Sequence, residues 1–443
     1  MEVWPDALTN RPGPRQHPPT LLSASMNTSE SQTIVRDVCI LGGGAAGTFA
    51  AIRLRDAGKT VAVVEQQDRL GGHTVTYQDP ISHTKAEAGV AVIRDSESAR
   101  QHFSRFGIGL SKFDPPSPVA NVFVDFGTGS HLAFSPPDPA QALENYAAQL
   151  AKYHFLDNGF DLPRPLPEDL PWLPFGKFVE KHDLSEMVLL ASKMCQGFGN
   201  FLVPDGVDNT ELYRRAEAEL ADSLLLSSTV ISSSRGDGCP VQSLVRNSSG
   251  QEMLIKADKL LVAIPATLAN LANLDLDDTE KALFSQFQHS SWWTLLIRNS
   301  GIPDNYCITN LNSVYSSGGL PGIFEITPTG VPNTLNLKYG SPHHLPVERV
   351  KQDVLECLDR LHRVSPDLFQ DGWDHINLEI ALLVTHRPFG MTVPVSAFND
   401  GFYDRPRALN GHRNTFWTGA AFQAHDASLI WEYTDGILRK HFF

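Results

Sequence analysis

The chain of 443 residues has no run approaching the roughly 20 apolar residues that a bilayer-spanning helix needs, so no membrane span is expected. Cysteine is scarce. The five (Cys39, Cys195, Cys239, Cys307 and Cys357) are odd in number, widely scattered, and lack the Cys-x-x-Cys or Cys/His spacing of a zinc site. They read as reduced thiols, with Cys39 a small apolar residue inside a strand, and no metal site is expected. Basic runs are also missing. With 36 basic residues against 50 acidic and a net charge of −14, the chain offers no phosphate-tracking stripe, and nucleic acid is not an expected partner. The first 35 residues lack a continuous apolar core of the secretory type, so a cytoplasmic location is expected, with residues 1–33 a Pro/Ser/Thr-rich tail and Met26 an alternative start. Asn27-Thr28-Ser29 and Asn247-Ser248-Ser249 match the glycosylation sequon, which carries meaning only in a secreted chain. Finally, no Ser/His/Asp or Cys/His nucleophilic set stands out. His73 and the pair His343-His344 sit in loop-like surroundings and read as solvated or structural histidines. Any chemistry must come from a cofactor.

What is present is ordinary globular composition, 42% hydrophobic and 19% charged, in a chain long enough for two packed domains with a ligand between them. Thr33 to Leu41 is a β-branched apolar run, followed by Gly42-Gly43-Gly44-Ala45-Ala46-Gly47 and then by helical apolar spacing through Leu54. Strand, tight turn and helix in this order make a dinucleotide site. Gly42 allows the turn, Gly44 lets backbone approach a pyrophosphate, Gly47 lets helix and strand pack, and the helix N-terminus supplies free N–H groups. Gly58 ends the helix and Lys59 to Val64 is a second buried strand. Glu65, followed by Gln66, closes that strand where an acidic side chain accepts hydrogen bonds from an adenosine ribose. Immediately afterwards, Arg69-Leu70-Gly71-Gly72-His73 places a basic side chain and two glycines where they can meet a diphosphate.

The βαβ unit followed by R-x-G-G-H resembles the flavin-containing amine oxidase superfamily, and with it a glutathione-reductase-type Rossmann FAD-binding domain in an α/β chain with a discontinuous α+β substrate domain. Two further segments agree with that resemblance. Glu87-Ala88-Gly89-Val90 is similar to the family's small-residue turn beneath the isoalloxazine ring. Asn414 to Ala421 is similar to its final strand, after which Asp426 to His441 reads as an amphipathic helix with Asp426 as N-cap. The resemblance implies non-covalent FAD contacted by Gly89, Val90, Gly419, Ala420 and Ala421, and by the backbone of Val230. The family often has an acidic residue where this chain has Ala420, which leaves that contact open. It also implies an FAD domain of 34–94, 206–269 and 391–443 and a substrate domain of 95–205 and 270–390.

Elsewhere the pattern predicts a hairpin over Asn121 to Phe134 and helices over Ala140 to Tyr153, Phe178 to Ser192 and Glu211 to Leu220. Leu162 to Pro174 reads as a proline-rich loop, and Leu224 to Ser232 and Lys256 to Pro265 as strands. Trp292, Trp293, Trp172 and Phe175 are candidate pocket residues, and the catalytic residues are not identified. The lysine that amine oxidases place near the flavin has no evident counterpart.

Nearly the whole chain after residue 33 is similar to fungal FAD-linked dehydrogenases of the β-cyclopiazonate dehydrogenase type, on Trp172-Leu173-Pro174-Phe175, His386-Arg387-Pro388-Phe389 and Gly411 to Phe422. A helical insertion longer in those enzymes is short here before Gly206. The resemblance implies oxidation or oxidative cyclisation of a small lipophilic metabolite, with O2 or another molecule as electron acceptor. Two alternatives stay open. Bacterial polyunsaturated fatty acid double-bond isomerases share the architecture, which allows a redox-neutral isomerase. The superfold also hosts proteins that bind prenylated partners without catalysis.

Overall fold

The computed structural model describes residues 32–114, 119–155, 159–163, 165, 167, 175–193, 200–312, 319–372 and 377–443. The expected N-terminal tail up to residue 31 lies outside the described residues, as do Met26, Trp172, Cys195 and most of the proline-rich loop.

Small and β-branched residues build the first sheet. In β1 (Gln32–Leu41) the last four residues, Val38 to Leu41, are buried, and all four residues of β2 (Val61–Val64) are buried beside them. Continuous apolar runs of this kind mark strands covered on both faces. The sheet runs β10 (Leu224–Leu225), β2, β1, β13 (Glu252–Val262), β12 (Cys239–Asn247), β11 (Ser228–Gly236), and β19 (Thr415–Trp417) pairs with the end of β13. β13 changes partner along its length: its first half pairs antiparallel with β12, and Leu260 to Val262 pair parallel with β19. The C-terminal strand thus returns to the first sheet one strand away from β1. Helices Ala45–Asp56, Thr210–Leu220 and Ala427–His441 cover one face through Phe49, Leu212, Ala216, Trp431 and Leu438.

The second sheet runs β18 (Glu379–Thr392), β14 (Gln288–Arg298), β17 (Thr334–Ser341), β16 (Gly322–Pro328), β15 (Tyr306–Asn310), β7 (Ala120–Asp125), β8 (Ser130–His131). Helix Val347–Val364 packs its Val350, Val354, Leu358 and Leu361 stripe against one face. The other face turns toward the nucleotide side, where it meets the hairpin β3 (Thr76–Gln78) and β4 (Lys85–Glu87) through Leu296, Leu382 and Val384. A small sheet of β5 (Ile93–Arg94), β9 (Phe201–Pro204) and β6 (Leu110–Lys112) completes the described strands.

Two local expectations are corrected. The helix predicted over Phe178 to Ser192 breaks into Phe175–His182 and Val188–Lys193, because Asp183 takes a left-handed conformation at φ 59° that an α-helix cannot contain. The strand predicted over Leu224 to Ser232 breaks at Ser227, φ 49°, so that β10 pairs with β2 and β11 with β12. Among the described residues no helix is long and apolar enough to cross a membrane.

Candidate functional site

The glycine turn after β1 is closed by constraints that can be read atom by atom. Gly42 has φ +99°, and its N–H donates to the Val64 carbonyl at 2.8 Å. A Cβ on Gly47 would lie 1.8 Å from the Gly42 carbonyl oxygen, so helix Ala45–Asp56 can approach β1 only with glycine there. Gly44 differs. A Cβ on it would meet nothing nearer than Gly72 at 3.9 Å, and no side chain caps the helix it precedes. The first-turn N–H groups around Ala45, Ala46 and Gly47 therefore border space that suits an anion. Glu65 is buried, and its carboxylate accepts from the Gly43 N–H at 2.6 Å and the Gln67 N–H at 2.8 Å. A carboxylate offers about four lone-pair sites, so Glu65 retains capacity for ribose hydroxyls. Gln66 lies beside it on the exposed side.

The Arg69 to His73 turn folds onto that glycine turn. Gly71, at φ +108°, donates to the Gly43 carbonyl at 2.8 Å, and Gly72 has φ +54°. Arg69 spends two of its donors on its own turn, reaching the Leu70 carbonyl at 2.9 Å and the Gly72 carbonyl at 3.2 Å. Its guanidinium stiffens the turn and leaves its charge beside it.

The segment Glu87 to Ala91 is held by side chains from three distant elements. Asn336 of β17 donates to the Glu87 carbonyl at 3.3 Å, and His386 of β18 to the Ala88 carbonyl at 3.1 Å. Asn209 donates to the Val90 carbonyl at 2.8 Å and the Ala91 carbonyl at 3.3 Å. A Cβ on Gly89 would lie 1.9 Å from the His73 carbonyl oxygen. Each captor leaves a buried acceptor without a protein partner: Asn336 Oδ1, His386 Nδ1 and Asn209 Oδ1. Leaving such a group unsatisfied costs about 1–3 kcal/mol, so this neighbourhood suits a polar cofactor or ordered water. The Glu87 carboxyl beneath is pushed up to about 8 by burial, against hydrogen bonds from the Asn209 N–H and Thr76.

Three histidines converge here from remote positions. The His73 and His386 rings lie 4.9 Å apart, edge to face, and the His425 ring lies 5.0 Å from Phe389. Burial, with help from His386, His425 and Arg69, pushes His73 down to about 3. Burial lowers His425 to about 4 and holds His386 below its ordinary value. The carbonyl partner of His386 makes its Nε2 a donor, so Nδ1 is bare. His425 has the opposite tautomer, its Nε2 accepting from the Gly390 N–H at 3.1 Å. In the sequence His386 enters only as part of the His386 to Phe389 motif, and nothing local marks His425 or brings either to His73.

The C-terminal return is positioned by charge. Arg235, buried on β11, makes a two-toothed contact with buried Glu280 at 2.9 and 2.8 Å and reaches Thr415 at 3.2 Å. Arg413 donates to the Arg235 carbonyl at 2.8 Å and to Asp275 at 2.5 Å, with both Arg413 and Asn414 at positive φ. Arg413 and the turn at Asn414 thus brace β19 where it joins β13. Gly419 follows at φ +109°, then Ala420 and buried Ala421, and Asp426 caps the final helix by accepting from the Leu429 N–H at 3.2 Å. Val230 lies beside a β-bulge in β11, and its carbonyl accepts from Asn273 at 2.9 Å.

The pocket candidates separate. Adjacent residues of a strand point to opposite faces. Trp293 is fully buried with Tyr339, 5.7 Å between rings, on the face under helix Val347–Val364, and is a core residue rather than a pocket wall. Trp292 lies on the nucleotide-facing side, stacked on Phe389 at 5.6 Å and tilted against Phe324 at 5.6 Å. Phe175 is exposed at the start of its helix, in no described contact with this platform.

Turn, acidic strand end, clamped hairpin and C-terminal return define an FAD-binding oxidoreductase of mixed α/β architecture. Residues 40–106 match the NAD(P)-binding Rossmann-like domain model. The chain is 35% identical over 441 residues to an FAD-dependent oxidoreductase of Cochliobolus heterostrophus, covering 91% of this chain and 90% of that one. It is 32% identical over 437 residues to the beta-cyclopiazonate dehydrogenase of Aspergillus oryzae, covering 92% and 93%. The chain belongs to this family of FAD-dependent oxidoreductases. In fold it is similar to a fatty acid isomerase from P. acnes, with TM-score 0.70, 18% identity and coverage of 92% and 99%. It is likewise similar to the cyclohexylamine oxidase of Brevibacterium oxydans, with TM-score 0.62, 16% identity and coverage of 91% and 99%.

Proposed function

We propose that the chain is a dehydrogenase that takes hydride from a small lipophilic metabolite. The observation that carries this reading is the aromatic platform of Trp292, Phe389 and Phe324 beside three imidazoles that burial keeps neutral. Such a surface binds apolar carbon skeletons. The Aspergillus oryzae relative, named as a dehydrogenase, supports the same direction.

FAD, when bound, supplies the two-electron acceptor. On this reading Gly42, Gly44, Ala45, Ala46 and Gly47 receive the diphosphate together with Arg69, Gly71 and Gly72. Glu65 and Gln66 face the adenosine ribose, Val230 the adenine, and His73, Gly89, Val90, Gly419, Ala420 and Ala421 the flavin side. Residues 34–94, 206–269 and 391–443 form the FAD domain, and 95–205 and 270–390 the substrate domain. The platform residues orient the substrate and exclude water, and O2 or another acceptor reoxidises the enzyme.

The test is anaerobic mixing of purified, FAD-loaded protein with candidate lipophilic metabolites. Bleaching of the flavin with formation of an oxidised product is expected. Conversion to a product of unchanged mass, with the flavin still oxidised, would replace the dehydrogenase with an isomerase.

A further inference from the structure

Two of the histidines beside the platform differ in what their ring nitrogens have left to offer. His386 uses its N–H on the Ala88 carbonyl at 3.1 Å, and its bare Nδ1 is buried. His425 is arranged the other way round. Its Nε2 accepts from the Gly390 N–H at 3.1 Å and from the Met391 N–H at 3.4 Å, so the ring proton is on Nδ1. Among the described residues that Nδ1–H has no hydrogen-bond partner, and unlike His386 Nδ1 it is not sealed from solvent. It is an accessible donor of fixed direction.

The strand that carries the platform is bent to hold this ring. Consecutive N–H groups of a regular strand point to opposite edges. Gly390, at φ +59°, breaks that alternation where the register of β18 against β14 shifts, and two successive N–H groups meet one imidazole nitrogen. Phe389, the residue before, lies 5.0 Å from the His425 ring and stacks on Trp292 at 5.6 Å. The two nitrogens of an imidazole point apart, so Nδ1 is turned away from the backbone that holds Nε2. The donor therefore borders the aromatic platform.

Burial lowers His425 to about 4, so this donor carries no charge at neutral pH. A lipophilic body that covers the N–H without offering an acceptor leaves it unsatisfied, whereas one with an oxygen in reach does not.

We propose that His425 Nδ1–H is the polar anchor of the substrate site, and that the natural substrate is a lipophilic carbonyl compound whose oxygen accepts from His425 while its apolar body lies on Trp292 and Phe389. This rests on the dehydrogenase reading for the role of the platform and adds the functional group by which the substrate is oriented.

Isothermal titration of the purified FAD-loaded protein with acetophenone and with α-methylstyrene, which has the same shape with a methylene in place of the oxygen, tests it. In His425→Phe the affinity of acetophenone relative to α-methylstyrene should fall about tenfold to a hundredfold, the range of one hydrogen bond to a buried donor. His425→Asn, whose amide can place an N–H where Nδ1 stands, should keep the parent's ratio. Both variants lose the acceptor for the Gly390 N–H, so their difference reports the donor alone. FAD content and melting temperature establish that each variant is folded. In the parent, the infrared C=O stretch of bound acetophenone should lie below its position in hexane, a readout that needs no variant. An unshifted band, no binding of acetophenone by the parent, an unchanged ratio in His425→Phe or equal loss in both variants would overturn the proposal. Equal weakening of both ligands with a displaced flavin absorbance band would assign the donor to the cofactor, and would overturn it too. A ratio that falls only in His425→Phe, in a protein whose flavin no lipophilic carbonyl compound bleaches, would leave the anchor standing and remove the dehydrogenase reading.

Discussion

The two sides of this molecule are held by different means. On the nucleotide side the closest approaches are backbone on backbone: Gly47 against Gly42, Gly89 against His73, Gly71 on Gly43. On the Trp292 side, side chains from β14, β16 and β18 make a surface whose members share nothing in sequence beyond the parity of their strands. A backbone contact tolerates almost no change, whereas a side-chain surface can be re-cut residue by residue. A fold arranged in this way can keep one side constant while the other varies.

Glycine substitutions test the contrast most severely. Gly47→Ala and Gly89→Ala each place a Cβ within 2 Å of a carbonyl oxygen, and neither should yield protein with bound FAD. Gly44→Ala should behave differently, because its Cβ meets only open space. Its melting temperature without cofactor should match the parent while its FAD content falls. Equal retention of FAD would remove Gly44 from the cofactor site.

Next in size are two buried residues. Glu280→Ala removes the two-toothed partner of buried Arg235 and leaves Asp275 as its one remaining described carboxylate, and should cost about 3 kcal/mol in urea denaturation. Trp293→Ala should cost about 3–5 kcal/mol by opening a cavity in the core. Trp292→Ala, one residue away, should change stability far less and instead raise KM for the lipophilic substrate. If the two tryptophan variants lose stability alike, the division between core face and platform fails.

A separate set of effects is in pH dependence. His73 and His425 are depressed to about 3 and about 4, so the stability they contribute is complete above their ordinary value of 6.5 and lost as pH falls through those values. His425→Phe should flatten the fall in melting temperature between pH 6.5 and 4. Glu87 acts in the opposite sense. Raised from 4.5 to about 8, its contribution is complete below 4.5 and lost as pH rises through 8, and Glu87→Gln should remove that alkaline loss.

The same contrast decides what could be read from sequence. The Gly42 to Gly47 turn, Glu65 and the capped C-terminal helix were legible because each depends on residues a few positions apart. The separation of Trp292 from Trp293 was not, since it depends on which strand face meets helix Val347–Val364. The meeting of His386 and His425 with His73 was hidden for the same reason: their neighbours lie in the Glu87 to Ala91 segment and at Gly390, brought together only by the sheets. The breaks at Asp183 and Ser227 were missed because non-glycine residues there adopt positive φ, against the usual preference.

The central claim is that the Trp292 face presents a lipophilic substrate to bound FAD. Anaerobic single-turnover spectroscopy on the FAD-loaded parent and the Trp292→Ala variant, with one metabolite that bleaches the parent, tests it most directly. The account predicts that the variant keeps its FAD but bleaches with a half-saturating substrate concentration raised about tenfold or more, the loss expected for a buried aromatic contact of a few kcal/mol. Bleaching at the parent's rate and concentration would contradict it.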